Sequence, residues 1–568
     1  MNTGDLLAEL LMAHGVEYVF GAIGGQGYPL NDALHRRRQK VQHIAVRDER
    51  SSAYAADGYA RVSGKVGVCD AAFGVGVLKL PSGMAEAYNS SIPVLGILSN
   101  APRNWMVWNE RGCTAQGVEQ VSPFTPITKG TFRVATQESL PDTVRYSFQL
   151  ATAGRPGPVV FDIPADVFKE DWDESTVKVV SSPRAGRFPA WRAHPDPADV
   201  KAVASVLRGA ERPVIVAGGG VAISQAWEAL RSLAEQLQIP VATTIAGKGV
   251  FPDDHPLAIG VMGGQYGSEA ANQVVAAADV VFLVGMKSSQ QVTSAWTQPT
   301  ETQTVVHLDV DPAEVGKVFP VAAGMVADAR AGLEALAVAC TDCQVERNAW
   351  LGQVNILKKQ WHNVIGAEMN DTGPPIRPQH LMAQIQAQLN PEDIVVSDAS
   401  FSVGWVGSYL RAMRGGQRFL FPRGLATMGF GVPAAIGARF AQQEGKVVVV
   451  VGDGSVTYAL GELAVLAKYG LDIIVVVLNN SCLGYSKISE MLNYSADYEE
   501  VDFPDTDFAL IARGFGCEGL AVRDPSELAP ALETAFALGG PALLDVRVDP
   551  WQTPELDLRQ RLAALQAE

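Results

Sequence analysis

The sequence predicts an α/β protein built of three doubly wound, parallel-sheet domains, and three observations carry that expectation. Short β-branched runs alternate with helix-period segments along most of the chain, the pattern of parallel strands joined by crossover helices. Several of these runs end in glycine-containing turns, where open α/β sheets bind their ligands. Finally, 568 residues with 47% hydrophobic content exceed what one core can serve, and polar, proline-rich stretches divide the chain into thirds.

The first third, residues 1–170, opens with an amphipathic helix over 5–14 that sets Leu6, Leu7, Leu10 and Leu11 on one side. Residues 16–21 read as a short strand entering the glycine-rich turn Gly24-Gly25-Gln26-Gly27, and residues 158–164 as the closing strand. The basic run His35-Arg36-Arg37-Arg38 is expected to end the first helix, where positive charge suits the negative pole. From 169 to 199 the chain is charged and has no period. The second third, 190–342, has strands over 213–220 with a glycine turn, over 280–285 and over 305–310. A polar stretch around 342–376, given no element of its own, leads into the last third, 376–550. No internal repeat is visible, although the first and last thirds share the same alternation.

That last third carries the most specific signal. Residues 447–451 are all valine and run into Gly452-Asp453-Gly454; 24 residues later Asn479-Asn480 closes a second apolar run over 473–478. Between them, 460–469 has helical spacing, with Gly470 as its C-cap. Strand, helix, strand is a right-handed crossover, so Asp453 and Asn480 are expected side by side at the carboxyl ends of neighbouring strands. A carboxylate and an amide carbonyl there are hard oxygen ligands suited to Mg²⁺, and the glycines let backbone approach a diphosphate.

Composition removes several classes. A formal charge of −16 without a basic tract argues against nucleic acid. No apolar run reaches the ~18 residues of a membrane span, and the start lacks a basic leader. Six cysteines in so long a chain make no disulfide framework, so a cytoplasmic location is expected. Cys340 and Cys343 form a lone CxxC, read as linker.

With Gly-Asp-Gly and Asn-Asn at this spacing, the chain resembles thiamine-diphosphate (ThDP) enzymes, in particular the acetolactate synthase-like and benzaldehyde lyase-like branch. Val46-Arg47-Asp48-Glu49, followed by residues 53–61 (AYAADGYAR), resembles the segment that bears the cofactor-activating glutamate. Residues 421–437 (FPRGLATMGFGVPAAIG) resemble the pyrimidine-clamping segment, and residues 211–220 (ERPVIVAGGG) the central domain. The resemblance implies pyrimidine, central and diphosphate domains, in that order. It implies that Glu49 hydrogen-bonds the cofactor's aminopyrimidine; its neighbours Ala45, Val46 and Ala53 are small and apolar, a setting in which a carboxyl group readily shares a proton. Asp453, Asn480 and the backbone carbonyl of Cys482 would hold Mg²⁺. Ala399, Ser400, Phe401, Gly452, Gly454, Ser455, Leu483 and Gly484 would line the diphosphate end. Ala426 and Met428 would lie at the pyrimidine, with Met428 wedging the cofactor into a bent shape.

Gln116 matches an active-site glutamine of this branch, and Gln26 stands where lyase-type relatives carry a histidine. An amide orients a carbonyl but is no general acid near neutrality, which favours carboligation or C–C cleavage of 2-oxo acids and 2-hydroxyketones. A plain 2-oxoacid decarboxylase and a silent ThDP-binding regulatory subunit are the alternatives. The chain departs from genuine acetolactate synthases where an arginine-rich segment would follow the second domain's strand: here Lys287 stands alone among Val284 to Gln291. The tryptophan expected after Asn480 is also absent. Gly218-Gly219-Gly220 could approach a dinucleotide, but Gly263-Gly264-Gln265-Tyr266-Gly267 departs from a flavin-contacting pattern, so FAD is not expected. Trp105 and Trp108 would form either a substrate wall or a cover for a subunit contact. A homodimer or homotetramer, with small-molecule sites at subunit interfaces, completes the expectation.

Overall fold

A computed structural model describes residues 1–264, 266–343, 345–495 and 498–567, so Gln265 of the flavin comparison lies outside the described residues. Among the described residues, eighteen strands form three six-stranded sheets. The first contains β1 (Tyr18–Gly21), β2 (Gln42–Ala45), β3 (Gly67–Ala71), β4 (Val94–Asn100), β5 (Gly130–Arg133) and β6 (Val159–Pro164) in the order β2-β1-β3-β4-β6-β5. The second contains β7 (Pro213–Ala217), β8 (Val241–Thr243), β9 (Ala258–Val261), β10 (Val280–Val284), β11 (Thr304–Asp309) and β12 (Ala323–Val326), ordered β12-β11-β10-β7-β8-β9. The third contains β13 (Ile394–Ser397), β14 (Phe419–Leu420), β15 (Val447–Gly452), β16 (Ile473–Asn479), β17 (Glu518–Val522) and β18 (Ala542–Arg547), ordered β14-β13-β15-β16-β18-β17.

The first and third sheets thus have the same strand order, the structural counterpart of their shared sequence rhythm. In each, the direction of winding reverses beside the first strand: between β1 and β3, and between β13 and β15. Such reversals open a crevice at the carboxyl ends of the strands. The strand cores are what the β-branched runs dictate: Val447 to Val451 and Ile473 to Val477 are fully buried, each side chain contributing about 1.5–3 kcal/mol of burial.

The chain divides into two compact units. One comprises 1–191 together with 422–443 and 458–473; the other comprises 192–421, 444–457 and 474–568. In the first unit the Glu49–Ser63 helix packs on the Gly431–Ala441 helix through a seam of small residues. A Cβ on Gly58 would stand 2.1 Å from the Ala434 carbonyl oxygen, and one on Gly437 only 1.8 Å from that of Ala55. Only glycine allows these backbones so close. In the second unit Gly218 and Gly220 serve the same end: a Cβ on either would strike Gly285, so the glycine turn after β7 is packed against the turn after β10.

Three local expectations change. The basic run closes the second helix, Tyr28–Arg36, and Arg37 ion-pairs with Asp5 and Glu9 of the first. The polar stretch around 342–376 holds a 22-residue helix, Asn348–Met369, which buries only Trp350, Val354 and Trp361. The helix expected over 460–469 begins later, at Leu463–Tyr469, after a 3₁₀ segment kinked at Ala459; Gly470 ends it at φ 58° as expected.

Candidate active site

One group of the candidate residues belongs to the first unit. Beyond β2, Asp48 adopts extended backbone and caps the Glu49–Ser63 helix by accepting the Arg50 amide at 2.9 Å. Glu49 is therefore the first helical residue, and its side chain is only 14% accessible. The backbone before it is fixed from a distance: buried Glu462 accepts the amides of Arg47 at 3.1 Å and Asp48 at 3.2 Å. Burial pushes the Glu462 carboxyl up, against the pull of those hydrogen bonds.

The Glu49 carboxylate lies between two features of the turn that follows β3. Its Oε2 accepts from Lys79 Nζ at 3.0 Å, and its Oε1 lies 2.8 Å from where a Cβ on Gly76 would be. That turn is itself anchored. Gly74, at φ 73°, donates its amide to Gln120 Oε1 at 3.0 Å, and Gln120 Nε2 donates to the Ser99 carbonyl and Asp162 Oδ1, both at 2.8 Å. Buried Gln120 so ties together the ends of β3, β4 and β6.

Gln116 lies in the same neighbourhood at φ 62°, its carbonyl oxygen packed on Gly74 and its side chain exposed. Gln26 is half-buried in the single 3₁₀ turn Gly25–Gly27 after β1. Trp105 and Trp108 are 53% and 52% exposed after β4, with the Arg111 guanidinium 5.7 Å over the Trp108 ring. Also in this unit, buried Glu86 accepts the amides of Gly424 and Leu425, both at 2.7 Å, which pins the segment carrying Ala426 and Met428. Ala426 has φ 56°, Gly429 has φ 85°, and Met428 is half-buried.

A second group belongs to the second unit, at the carboxyl ends of β13, β15 and β16. Ala399 donates its amide to Asp398 Oδ1 at 2.7 Å, and Ser400, at φ 66°, starts the Phe401–Tyr409 helix. Gly452 ends β15 and Asp453 follows, 4% exposed, accepting the Gly454 amide at 2.8 Å. Its other oxygen, Oδ2, is buried with no hydrogen-bond partner, and burial raises the carboxyl to about 6. Across the crossover, the two asparagines separate in role. Asn479 is buried and donates to Asp545 Oδ1 at 2.8 Å, a bond internal to the sheet. Asn480 leaves the sheet: its side-chain amide lies 3.3 Å from Asp453 Oδ1 and 2.8 Å from the Cys482 carbonyl oxygen.

With nitrogen turned that way the amide donates to both; with oxygen turned that way three oxygens converge, an arrangement that a bound cation would satisfy. The orphaned Asp453 Oδ2 and this all-oxygen set fit a hard divalent ion. The Cys482 thiol is no part of the set, since burial pushes it up to about 12 and keeps it protonated. Ser455 is 4% exposed on the one-turn helix Asp453–Val456, and a Cβ on Gly454 would stand 3.0 Å from Leu483, which leaves Gly454 close-packed. Gly484 begins the next helix, where a Cβ would stand only 2.7 Å from Asn480 Nδ2.

The sequence missed Lys79, Gln120, Glu86 and Glu462. Lys79 had one readable signal, a lone cation three residues past a glycine in an otherwise apolar turn after a buried strand. His43 lies on β2 and reaches Asp70 on β3 at 2.9 Å, across Gly21, whose missing side chain leaves the room.

Comparison with known proteins agrees in order along the chain. Residues 1–122 match the family described as thiamine pyrophosphate enzyme, N-terminal TPP binding domain; residues 200–336 match its central domain, and 398–546 its C-terminal TPP binding domain. A probable acetolactate synthase large subunit of Methanocaldococcus jannaschii is 35% identical, over 97% of this chain and 92% of that protein. An acetolactate synthase of Arthrospira platensis is 34% identical over 95% of this chain and 93% of its own. The acetolactate synthase isozyme 2 large subunit of Escherichia coli K12 is 31% identical over 97% and 96%.

Proposed function

The chain belongs to the thiamine pyrophosphate enzymes, and from that premise we propose that it is an acetolactate synthase-like carboligase or C–C lyase acting on 2-oxo acids or 2-hydroxyketones, dependent on ThDP and Mg²⁺. The observation that carries the cofactor end is the approach of Asp453 Oδ1, the Asn480 amide and the Cys482 carbonyl, beside a buried carboxylate oxygen with no partner. Asp453, Asn480 and the Cys482 carbonyl would hold Mg²⁺, while Gly452, Gly454, Ser455, Ala399, Ser400, Phe401, Leu483 and Gly484 would receive the diphosphate. The division into domains at 1–170, 190–342 and 376–550 is supported by one separate sheet in each.

Bound ThDP would supply an electron sink for making or breaking a bond next to a carbonyl. The protein's part is position and protection from water. Glu49 would accept a ring N–H on the oxygen edge that faces away from Gly76, and Ala426 and Met428 would shape the pyrimidine's seat. Gln116 and Gln26 would orient a substrate carbonyl or hydroxyl without acting as acids. Trp105 and Trp108, 53% and 52% exposed, would serve either as a substrate wall, favouring a substrate more apolar than pyruvate, or as cover for a subunit contact.

Exposed Val75, Leu78, Trp105, Val107 and Trp108 form an apolar edge around the turns after β3 and β4, which supports covering by a second copy and sites shared between subunits. The active form would be a homodimer or homotetramer in the cytoplasm; no helix among the described residues is long and apolar enough to cross a membrane.

The test is direct. Purified chain with ThDP, Mg²⁺ and a panel of 2-oxo acids and aldehydes should give ligated or cleaved 2-hydroxyketones by mass spectrometry, and Glu49→Gln should abolish them. Turnover that survives Glu49→Gln, or that ends at free aldehyde and CO₂ whatever acceptor is offered, would refute the reading.

A further inference from the structure

Within its own unit Glu49 has a charged partner that the proposed chemistry does not use. Lys79 ends the Val75–Lys79 helix, with Nζ 3.0 Å from Glu49 Oε2 and 3.4 Å from Asp48 Oδ2. The hydrogen bond to Glu49 is the leading reason the lysine lies above its ordinary pKa. The other charges nearby are engaged elsewhere: Arg50 holds Asp48 at 2.9 Å, and Glu462 takes the amides of Arg47 and Asp48. The carboxylate is therefore held between an ammonium on one oxygen and the close backbone of Gly76 on the other.

Resting on the reading of Glu49 above, we propose that Lys79 is a positioning residue that keeps the Glu49 carboxylate in place while the cofactor is absent, and that an aminopyrimidine must take the Oε2 edge from it. Oε1 lies against Gly76, so the edge facing Lys79 is the one a second donor can reach. A carboxylate this enclosed would be costly to leave without a partner, and the lysine supplies one. The Lys79 side chain is itself 41% accessible and ends in a well-hydrated ammonium, so it can return to water at small cost. A fixed internal cation would oppose the ring; a half-exposed one can yield.

The experiment is a calorimetric titration of ThDP with Mg²⁺ into the full-length chain and into Lys79→Met, Lys79→Gln and Lys79→Arg, with circular dichroism confirming that each is folded. Lys79→Met and Lys79→Gln should bind more tightly, by roughly two- to fivefold, the range of a half-exposed ion pair. Lys79→Arg should stay with the unaltered chain. The gap between Lys79→Met and the unaltered chain should narrow as sodium chloride is raised, because the bond removed is electrostatic; a merely structural role would show no such dependence. Equal or weaker binding by folded Lys79→Met and Lys79→Gln overturns the proposal and leaves the cofactor reading standing. Failure of the unaltered chain to bind ThDP overturns both, so the two failures are distinguishable.

Discussion

Replacing Gly76 with alanine tests the site geometry with a single methyl group. The new Cβ would lie 2.8 Å from Glu49 Oε1, 3.4 Å from its Cδ and 3.5 Å from its Cγ. Ordinary contact begins near 3.4 Å, so the carboxylate oxygen must retreat by about 0.6 Å. Because the obstacle is the end of a flexible side chain, the strain is small, and alanine's better helix propensity returns up to about 1 kcal/mol. The melting temperature should therefore shift by only a few degrees. Function should respond differently, since a displacement of about 1 Å at a reacting group costs on the order of 100-fold in rate. Carboligation should fall roughly ten- to a hundredfold, with ThDP affinity weakened in the same direction. Melting by circular dichroism and product formation by mass spectrometry on the same preparation separate the two effects. An unchanged rate at unchanged stability would show that the Glu49 position against Gly76 is not the working one. Loss of the fold would show that the clash cannot be relieved by the side chain.

Three further outcomes are expected. Asp453→Ala should abolish Mg²⁺-supported ThDP binding, whereas Cys482→Ala should retain it, because the residue offers its carbonyl; calorimetry distinguishes them. Gly437→Ala places a methyl group 1.8 Å from the Ala55 carbonyl oxygen, where no side chain can give way, and should lower stability by about 3 kcal/mol in a denaturant titration. His43 is pulled down by burial, but the Asp70 carboxylate at 2.9 Å outweighs this and raises it above 6.5. Its folded value exceeds its unfolded one, so the pair's stabilisation is complete below about 6.5 and is lost as pH climbs through the higher folded value. His43→Gln should consequently cost more stability at pH 6 than at pH 8.5, and equal costs at the two would contradict the assignment.

What could be read from the sequence was local or periodic. The all-valine strand, its Gly-Asp-Gly end and the crossover to Asn480 were legible because burial on both faces and a tight turn leave composition marks within a few residues. The Asn348–Met369 helix was not, because only Trp350, Val354 and Trp361 of its 22 residues are buried, too few to mark a core-facing stripe. The start of the Leu463–Tyr469 helix was misread because a 3₁₀ segment kinked at Ala459 precedes it, and nothing in the local spacing marks that kink. Gln120 and Glu86 escaped because what they hold is set by tertiary contact, and nothing in their neighbours announces it, whereas Lys79 showed as a lone cation in an apolar turn but not which acid it would meet.

The small-residue seam between the Glu49–Ser63 and Gly431–Ala441 helices has a consequence for how the polypeptide is made. Its two surfaces lie almost four hundred positions apart, and the compact body they share also takes in residues 458–473. During synthesis the amino-terminal stretch must wait, with Ala55 and Gly58 uncovered, until most of the chain has left the ribosome. A fragment stopped at residue 191 would expose that groove in water, lacking the Glu462 carboxylate that receives the Arg47 and Asp48 amides. The helix bearing the acid at position 49 would then keep only its local Asp48 cap, without the distant anchor of the two preceding amides.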